Sequence, residues 1–196
     1  MPEVSMTLFD KAAAFAIKAH QDKTRKLGKL PYVIHPFEVA TIAATMTNDE
    51  HVLSAALLHD TIEDTETTEQ DLRLNFGDRV TYLVLMETEE KLADMPRWKS
   101  WQERKEKSLK ELADCTDRDV KILWLSDKLS NMRSFYRSWK IEGNSFWNKM
   151  NQRDPSKQAW YYRTIARLVS ELKDQDSWKE YNSLVETVFK EVPVNA

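Results

Sequence analysis

Glycine is scarce in this chain, and that scarcity limits the folds that the chain can adopt. Only 3 of its 196 residues are glycine, and 6 are proline. A fold built from strands alone needs many tight turns, and glycine is the residue that those turns most often require. Hydrophobic residues make up 41% of the chain and charged residues 31%, which is typical of a globular protein with a sizeable core. We therefore predict an all-α fold, with residues 1–196 forming a single domain.

Apolar residues recur at helical spacing along most of the chain. The segments predicted as helices are 9–20, 37–46, 50–62, 68–76, 78–87, 98–115, 117–136, 157–172 and 177–191. Residues 21–36, which contain one glycine and two prolines, are predicted as a loop, and residues 89–97 are polar and fit neither class. The chain shows no internal repeat, low-complexity tract or linker. This pattern predicts one packed helical bundle with irregular connections.

Composition also excludes several classes of function. The single cysteine, Cys115, rules out an internal disulfide framework and a cysteine-rich zinc site, and it fits a reducing, cytoplasmic location. The first residues are too few and too polar for a signal peptide, and no apolar run approaches membrane-spanning length. A net charge of -3 gives no general attraction to nucleic acid. We expect neither a nucleic acid nor a membrane as partner, whereas an oligomer is possible.

An apolar run ends in a cluster of polar groups at residues 55–65. His59 and Asp60 follow Leu58 directly, and Glu63 and Asp64 come one helical turn later. Burying such groups is costly unless they are paired or bind a cation. Acidic residues at the C-terminus of a helix also oppose its dipole, which a divalent cation would offset. The alternative is a solvated acidic helix end, and we favour the metal site.

Two other segments offer further ligands. His35 is held between a loop and the restricted backbone of Pro36, although a core histidine would look the same. Asp127 lies within an apolar helix, where it needs a cation or an ion-pair partner, and Asn131 shares its face. Two histidines and two aspartates would suit Mn(II), Fe(II), Co(II) or Zn(II) better than Ca(II).

A cation with an open position lowers the pKa of bound water and so favours hydrolysis. Glu63 and Asp64, which are not needed as ligands, are then placed to orient that water and to move protons. A basic segment with Lys23, Arg25, Lys26 and Lys29 precedes His35. This segment is either a solvated loop or a clamp for phosphate or a nucleotide base. The charged helix from Arg97 to Lys110 is a second source of cations, although most of it should face solvent.

Together these segments resemble the HD-domain hydrolases of the RelA/SpoT homologue family, and most of all its single-domain small alarmone hydrolases. The His-Asp pair alone is a weak signal, but Pro-Tyr-x-x-His-Pro followed by His-Asp-x-x-Glu-Asp-Thr is far more specific. The matching stretches occur in the family's order and cover roughly the first two-thirds of the chain; they are AHQDKTRKLG (19–28), PYVIHP (31–36), AALLHDTIEDT (55–65), FGDRV (76–80) and SDKLSNMR (126–133).

The resemblance implies an HD-domain helical bundle with its metal-site segments within residues 20–135, completed by C-terminal helices within 157–191. It implies one Mn2+ per chain held by His35, His59, Asp60 and Asp127, with Glu63 and Asp64 positioning and activating the attacking water. Arg25 would pack on the purine, Lys26 would lie beside the base or the phosphates, and Asn131 would hold the ribose or 5′ side. The remaining implied substrate contacts are Arg133, near Asn131, and Tyr161 and Arg163, at the 5′-diphosphate.

The activity implied by the resemblance is removal of the 3′-pyrophosphate from guanosine tetra- and pentaphosphate, without synthetase activity. The chain departs from the family in two places: Asp22-Lys23-Thr24 replaces a Gly-Gln pair, and extra acids precede Lys91. The second departure leaves open whether Lys91 or a lysine near Lys105 reaches the leaving pyrophosphate. Alternatives are an HD phosphohydrolase for an adenine alarmone or a 2′-phosphorylated nucleotide, and a non-enzymatic HD module. The seven tryptophans could stack on nucleic acid, but their helical spacing favours core positions.

Overall fold

A computed structural model describes residues 5–89 and 99–192. Over these residues the chain is all-α, as predicted, and its only extended pairing there is an isolated bridge between Thr24 and Pro31. The helices are α1 Leu8–Ala19, α2 Ile34–Ala43, α3 Glu50–Leu58, α4 Thr61–Asp64, α5 Glu69–Leu85, α6 Trp101–Asp114, α7 Arg118–Glu142, α8 Pro155–Leu168 and α9 Asp176–Val188, with 3₁₀ turns at Gly143–Lys149 and Ser170–Leu172.

The starts of the helices follow local capping chemistry. Thr7 and Thr68 form capping boxes with Asp10 and Asp71. Each threonine hydroxyl accepts the backbone N–H of its aspartate, and each aspartate carboxylate accepts the backbone N–H of its threonine. Asp49, Asp117 and Asp154 cap α3, α7 and α8 through their carboxylates. These side chains satisfy N–H groups that have no partner within a helix.

Helix α7 is the centre of the bundle. It contacts α2, α3, α5, α8 and α9, and twelve of its residues are buried, among them Leu123, Trp124 and Leu129. It runs six residues beyond its predicted end at Tyr136 and stops where Gly143 takes a positive φ of 56°. Asp127 and Asn131 lie on this helix before its predicted end, and α7 packs against α2.

Two other predicted boundaries change in ways that affect the site. Helix α2 begins at Ile34 rather than Phe37, so His35 and Pro36 lie in its first turn, where a missing proline N–H costs nothing. Gly77 has φ 79° and ψ 178° and kinks α5, which agrees with the break predicted between residues 76 and 78. Residues 90–98 lie outside the described residues. They include the predicted polar segment, apart from Glu89, and the start of the predicted helix at Trp98.

Candidate active site

The predicted helix over residues 50–62 is wrong at its C-terminal end, and the error places the site. Helix α3 ends at Leu58, and α4 starts at Thr61 after two residues that redirect the chain. The Thr61 hydroxyl donates to the carbonyl oxygen of Leu58 at 2.6 Å, which satisfies one acceptor at the break. Glu63 and Asp64 therefore lie in a separate short helix instead of at the C-terminus of a long one.

The four predicted metal ligands meet at this break. Nε2 of His35 lies 2.9 Å from Oδ1 of Asp127 and 3.5 Å from Oδ2 of Asp60. Nε2 of His59 lies 3.2 Å from Oδ2 of Asp60 and 3.6 Å from Oδ1 of Asp127. His35, His59 and Asp127 are buried and offer one donor atom each within 4.8 Å of the others. Helices α2, α3 and α7 thus direct two imidazoles and a carboxylate at one point, with Asp60 beside them.

The hydrogen-bond partner of Nδ1 in each histidine determines which ring nitrogen carries the proton. Nδ1 of His59 lies 2.8 Å from the carbonyl oxygen of Ala56, which can only accept. Nδ1 of His35 lies 2.8 Å from the Ser130 hydroxyl, whose own proton goes to Oε2 of Glu38 at 2.7 Å. In its neutral form each ring therefore carries the proton on Nδ1 and directs the Nε2 lone pair into the site.

The charges of these groups favour a bound cation. Burial lowers the pKa of His35, which keeps this imidazole neutral. Burial opposes protonation of His59 as well, but the charge of Asp60 raises the pKa of His59 well above its usual range. Among the described residues, Nε2 of His59 has no hydrogen-bond partner although it is buried. Lone pairs and carboxylates that converge in this way fit a divalent cation, which would remove their mutual repulsion.

A buried lysine neutralises the other side of Asp127. The Lys128 ammonium donates to Oδ2 of Asp127 and, at 2.6 Å, to Oε1 of Glu87. All three residues are buried, and Lys128 also lies 4.7 Å from the ring of Trp124. Asn131 donates to Oδ1 of Asp127 at 2.8 Å. The Lys128–Glu87 pair was not predicted, and its one signal in the sequence is the apolar surroundings of Lys128.

Glu63 and Asp64 lie next to the four ligands but in different environments. Burial, together with the charge of Asp60, raises the pKa of Glu63 to about 7, although its carboxylate accepts the backbone N–H of Glu89. Oδ2 of Asp64 lies 2.8 Å from the hydroxyl of Tyr32, which is also 2.5 Å from Oδ2 of Asp60. Tyr32, which belongs to the PYVIHP motif, is therefore a site residue whose role was not predicted.

A cavity of about 470 Å3 opens beside Asp64, and three of the predicted substrate contacts line it. Arg25 donates to Oδ1 of Asn131 at 3.0 Å and lies 5.8 Å from the ring of Tyr32. Lys26 also lines the cavity and donates to Oδ1 of Asn151 at 3.0 Å. The basic segment at residues 23–26 and helix α7 thus line the same cavity. The lining residues are Lys23, Thr24, Arg25, Lys26, Leu27, Tyr32, Asp64, Asn131, Phe135 and Met150.

A second cavity of about 200 Å3 shares Lys26, Phe135 and Met150 with the first and is bordered by Glu63 and Tyr161. The Lys105 ammonium lies 4.4 Å from the ring of Tyr161 and 3.4 Å from its hydroxyl oxygen. Lys105 and Arg104 both form ion pairs with Glu89. Two cations are therefore held beside the second cavity. The other lysine considered for this position, Lys91, lies outside the described residues.

The two remaining predicted contacts lie elsewhere. Arg133 forms ion pairs with Glu180 and Glu38, and Arg163 donates to the carbonyl oxygens of Phe189 and Val192. Neither arginine is among the residues that line the two cavities in the described part of the chain. Their role in substrate binding stays a prediction, and their contacts give it no support.

The fold and the site define a class of protein. The HD-domain family matches residues 12–154, and the chain belongs to that family. The guanosine-3′,5′-bis(diphosphate) 3′-pyrophosphohydrolase MESH1 of Xenopus tropicalis is 39% identical over 129 residues, which are 64% of this chain and 68% of that protein. These relatives confirm the resemblance noted in the sequence.

Longer relatives and a solved structure agree with this assignment. The GTP pyrophosphokinase rsh of Brucella melitensis is 38% identical over 135 residues, which are 68% of this chain but only 18% of that protein. The structure of a metazoan orthologue of SpoT, described as hydrolysing ppGpp, is similar with a TM-score of 0.70 and 26% identity. The match covers 96% of this chain and 97% of that one.

Proposed function

We propose that this protein is a Mn2+-dependent hydrolase that removes the 3′-pyrophosphate from guanosine tetra- and pentaphosphate, giving GDP or GTP. The observation that carries the proposal is that Glu63 and Asp64 lie beside the candidate cation site and line two adjoining cavities with basic and aromatic walls. The names of the relatives supply the substrate. A nucleotide substrate also fits a cytoplasmic protein whose described helices include none long and apolar enough to cross a membrane.

The metal ligands in this proposal are His35, His59, Asp60 and Asp127. When Mn2+ is bound there, it supplies a Lewis acid for a phosphoryl oxygen of the 3′-diphosphate. Two nitrogen and two oxygen donors suit Mn2+, Fe2+, Co2+ or Zn2+, and an all-oxygen shell would be expected for Ca2+. Lys128 and Asn131 hold the Asp127 carboxylate in place for this role.

Glu63 takes a proton from the attacking water. Its raised pKa of about 7 makes it a better base than an ordinary glutamate at neutral pH. Asp64, held by the Tyr32 hydroxyl, orients the same water. The water oxygen forms a bond to the phosphorus attached to the 3′ oxygen, and the bond between that phosphorus and the 3′ oxygen breaks. The 3′ oxygen takes up a proton, and pyrophosphate leaves with the oxygen of the water.

Four of the predicted contact residues bind the nucleotide: Arg25, Lys26, Asn131 and Tyr161. Arg25 stacks on the purine and Lys26 lies near the base or the phosphates, because guanidinium groups stack on rings and ammonium groups attract phosphate. Asn131 holds the ribose or 5′ side. Tyr161 borders the second cavity, where Lys105 is the described lysine placed to meet a diphosphate.

Purified protein tests this proposal with a panel of nucleotides, in the presence of Mn2+ or of a chelator. Guanosine tetraphosphate should be converted to GDP and pyrophosphate with Mn2+ and stay intact with the chelator. Glu63→Gln should retain Mn2+ and lose about a hundredfold or more in turnover. If the Mn2+-loaded protein leaves guanosine tetraphosphate intact, the substrate assignment fails. Turnover of an adenine alarmone or a 2′-phosphorylated nucleotide in that case would identify one of the alternatives.

A further inference from the structure

Arg133 lies on α7 between two carboxylates from different helices. Its Nε donates to Oε1 of Glu180 on α9 and its Nη2 donates to Oε2, both at 2.7 Å, so the two side chains form a bidentate pair. Its Nη1 donates at 3.3 Å to Oε1 of Glu38 on α2. The Arg133 side chain is 32% exposed, so water screens these pairs only in part. Arg133 therefore connects α9 to α2 at a fixed geometry.

The other oxygen of Glu38 leads to the metal centre. Oε2 of Glu38 accepts the Ser130 hydroxyl proton at 2.7 Å, and the Ser130 oxygen lies 2.8 Å from Nδ1 of His35. Since a carboxylate can only accept, the serine oxygen has to accept from His35. His35 then keeps its proton on Nδ1 and presents the Nε2 lone pair to the proposed metal site that it shares with Asp127. A continuous series of hydrogen bonds thus runs from α9 to one ligand of the centre.

The two histidine ligands differ in what orients them. His59 bonds to the carbonyl oxygen of Ala56, three residues before it, so the backbone of its own helix fixes its ring. His35 depends on the side chain of Ser130 on α7, which is 95 positions away in the chain. Ser130 in turn bonds to Glu38 on α2, which is 92 positions from it. Groups that bond to the outer nitrogen of a histidine ligand set its tautomer and strengthen metal binding. Only His35 can lose that support through side-chain substitutions.

We propose that Arg133 is a positioning residue of the metal centre, which holds Glu38 so that Ser130 keeps His35 in the ligand tautomer. This role replaces the direct substrate contact that the family resemblance implied for Arg133. The inference rests on the proposed metal centre and is independent of which nucleotide is the substrate. It assigns the same function to the Glu38–Ser130 pair, which nothing in the sequence motifs singled out.

Isothermal titration of the protein with Mn2+ tests the inference directly. Ser130→Ala and Glu38→Gln should each weaken Mn2+ binding about tenfold, the lower end of the loss seen when such outer partners are removed. Arg133→Met should weaken it by about three- to tenfold, and Arg133→Lys should fall between Arg133→Met and the wild type, because lysine keeps the charge and loses the fork. Arg137→Met is the matched control, since Arg137 is an exposed arginine one turn further along α7, and it should bind Mn2+ like the wild type.

Steady-state kinetics at saturating Mn2+ separate positioning from substrate binding. A positioning role predicts that Arg133→Met keeps the KM of the wild type. Its loss of turnover should be reversed by excess Mn2+. An Mn2+ affinity equal to the wild type, with or without a raised KM, would overturn the inference. If Arg133→Met does not fold, Glu180→Gln provides the same comparison from the α9 side. A wild-type protein that binds Mn2+ and hydrolyses no nucleotide would contradict the proposed function, while the comparison of Mn2+ affinities would still decide the inference.

Discussion

The hydroxyl oxygen of Tyr32 lies 2.8 Å from Oδ2 of Asp64, which is 32 positions further along the chain. The same oxygen lies 2.5 Å from Oδ2 of Asp60, so one hydroxyl proton serves two carboxylates. Burial, reinforced by Asp60 and Asp64, raises the pKa of Tyr32 far above its usual value and keeps the phenol protonated. Tyr32 thus connects a predicted metal ligand to a predicted water-orienting group.

Tyr32→Phe should leave the fold intact and lower kcat. A hydrogen bond to a charged group contributes about 1.5–3 kcal/mol, and its loss frees Asp64 to turn away from the water, so we expect kcat to fall by about tenfold or more. Steady-state kinetics with guanosine tetraphosphate measure the effect, and circular dichroism checks the fold. Tyr82→Phe is the control, because Tyr82 is 40% exposed and packs against Arg79 outside the site. A kcat unchanged in Tyr32→Phe would contradict this role.

Lys128→Met should destabilise the protein strongly. The substitution leaves the buried Asp127 carboxylate without its cation, and breaking a buried pair costs about 3–5 kcal/mol of unfolding free energy. Urea unfolding measures the loss. Adding Glu87→Gln should restore little at pH 7, because burial raises the pKa of Glu87 to about 8 and the carboxyl group takes up a proton once Lys128 is gone. Lys179→Met, which breaks an exposed pair with Asp176, should cost about 1 kcal/mol or less. Equal losses in the two lysine variants would refute the buried-pair account.

Glu63→Gln should stabilise the metal-free protein at alkaline pH. The pKa of Glu63 is raised from 4.5 to about 7 in the folded state, so the folded protein binds this proton more tightly than the unfolded chain does. That contribution is fully present below pH 4.5 and is lost as the pH rises through 7. At pH 8 we expect the variant to exceed the wild type by about 3 kcal/mol, and near pH 4.5 the gap should close. Thermal unfolding in a chelator at both pH values checks this, and a gap that does not vary with pH would speak against it.

Removal of Mn2+ should lower the melting temperature of the wild type. A ligand at a hundred times its dissociation constant stabilises the folded state by about 2.7 kcal/mol, so the difference between Mn2+ and chelator should be several degrees. His59→Ala and Asp60→Ala should show no such difference, because each removes a ligand. His51→Ala is the matched control: His51 is exposed on α3 and bonds only locally to Asp49. A full Mn2+ effect in His59→Ala would exclude this residue from the centre.

Residue patterns predicted the fold class, most helices and the convergence of His35, His59, Asp60 and Asp127, because helical periodicity and ligand chemistry are local or family-specific signals. The break at His59 and Asp60 was missed, since no glycine or proline marks it and the apolar run continues up to it. Packing against α2 and α7, which no local window contains, accompanies the change of direction.

The supporting groups of the site were also beyond local reasoning. Lys128 and Glu87 are 41 positions apart, and Arg133 meets Glu38 across 95 positions and Glu180 across 47. A charged residue in a helix is compatible with solvent, an ion pair or a ligand, and only the tertiary arrangement decides among them. For Arg133 the motif suggested a nucleotide contact, whereas its partners in the structure are two carboxylates.

The most direct test of the central claim is hydrolysis of guanosine tetraphosphate by the Mn2+-loaded protein in water enriched in oxygen-18, with mass spectrometry of both products. Attack at the phosphorus attached to the 3′ oxygen predicts one labelled oxygen in pyrophosphate and an unlabelled GDP. Label in the nucleotide would place the cleavage at carbon, and release of inorganic phosphate with a 3′-monophosphate nucleotide would place the attack at the outer phosphorus. Either result would contradict the proposed attack at the phosphorus attached to the 3′ oxygen.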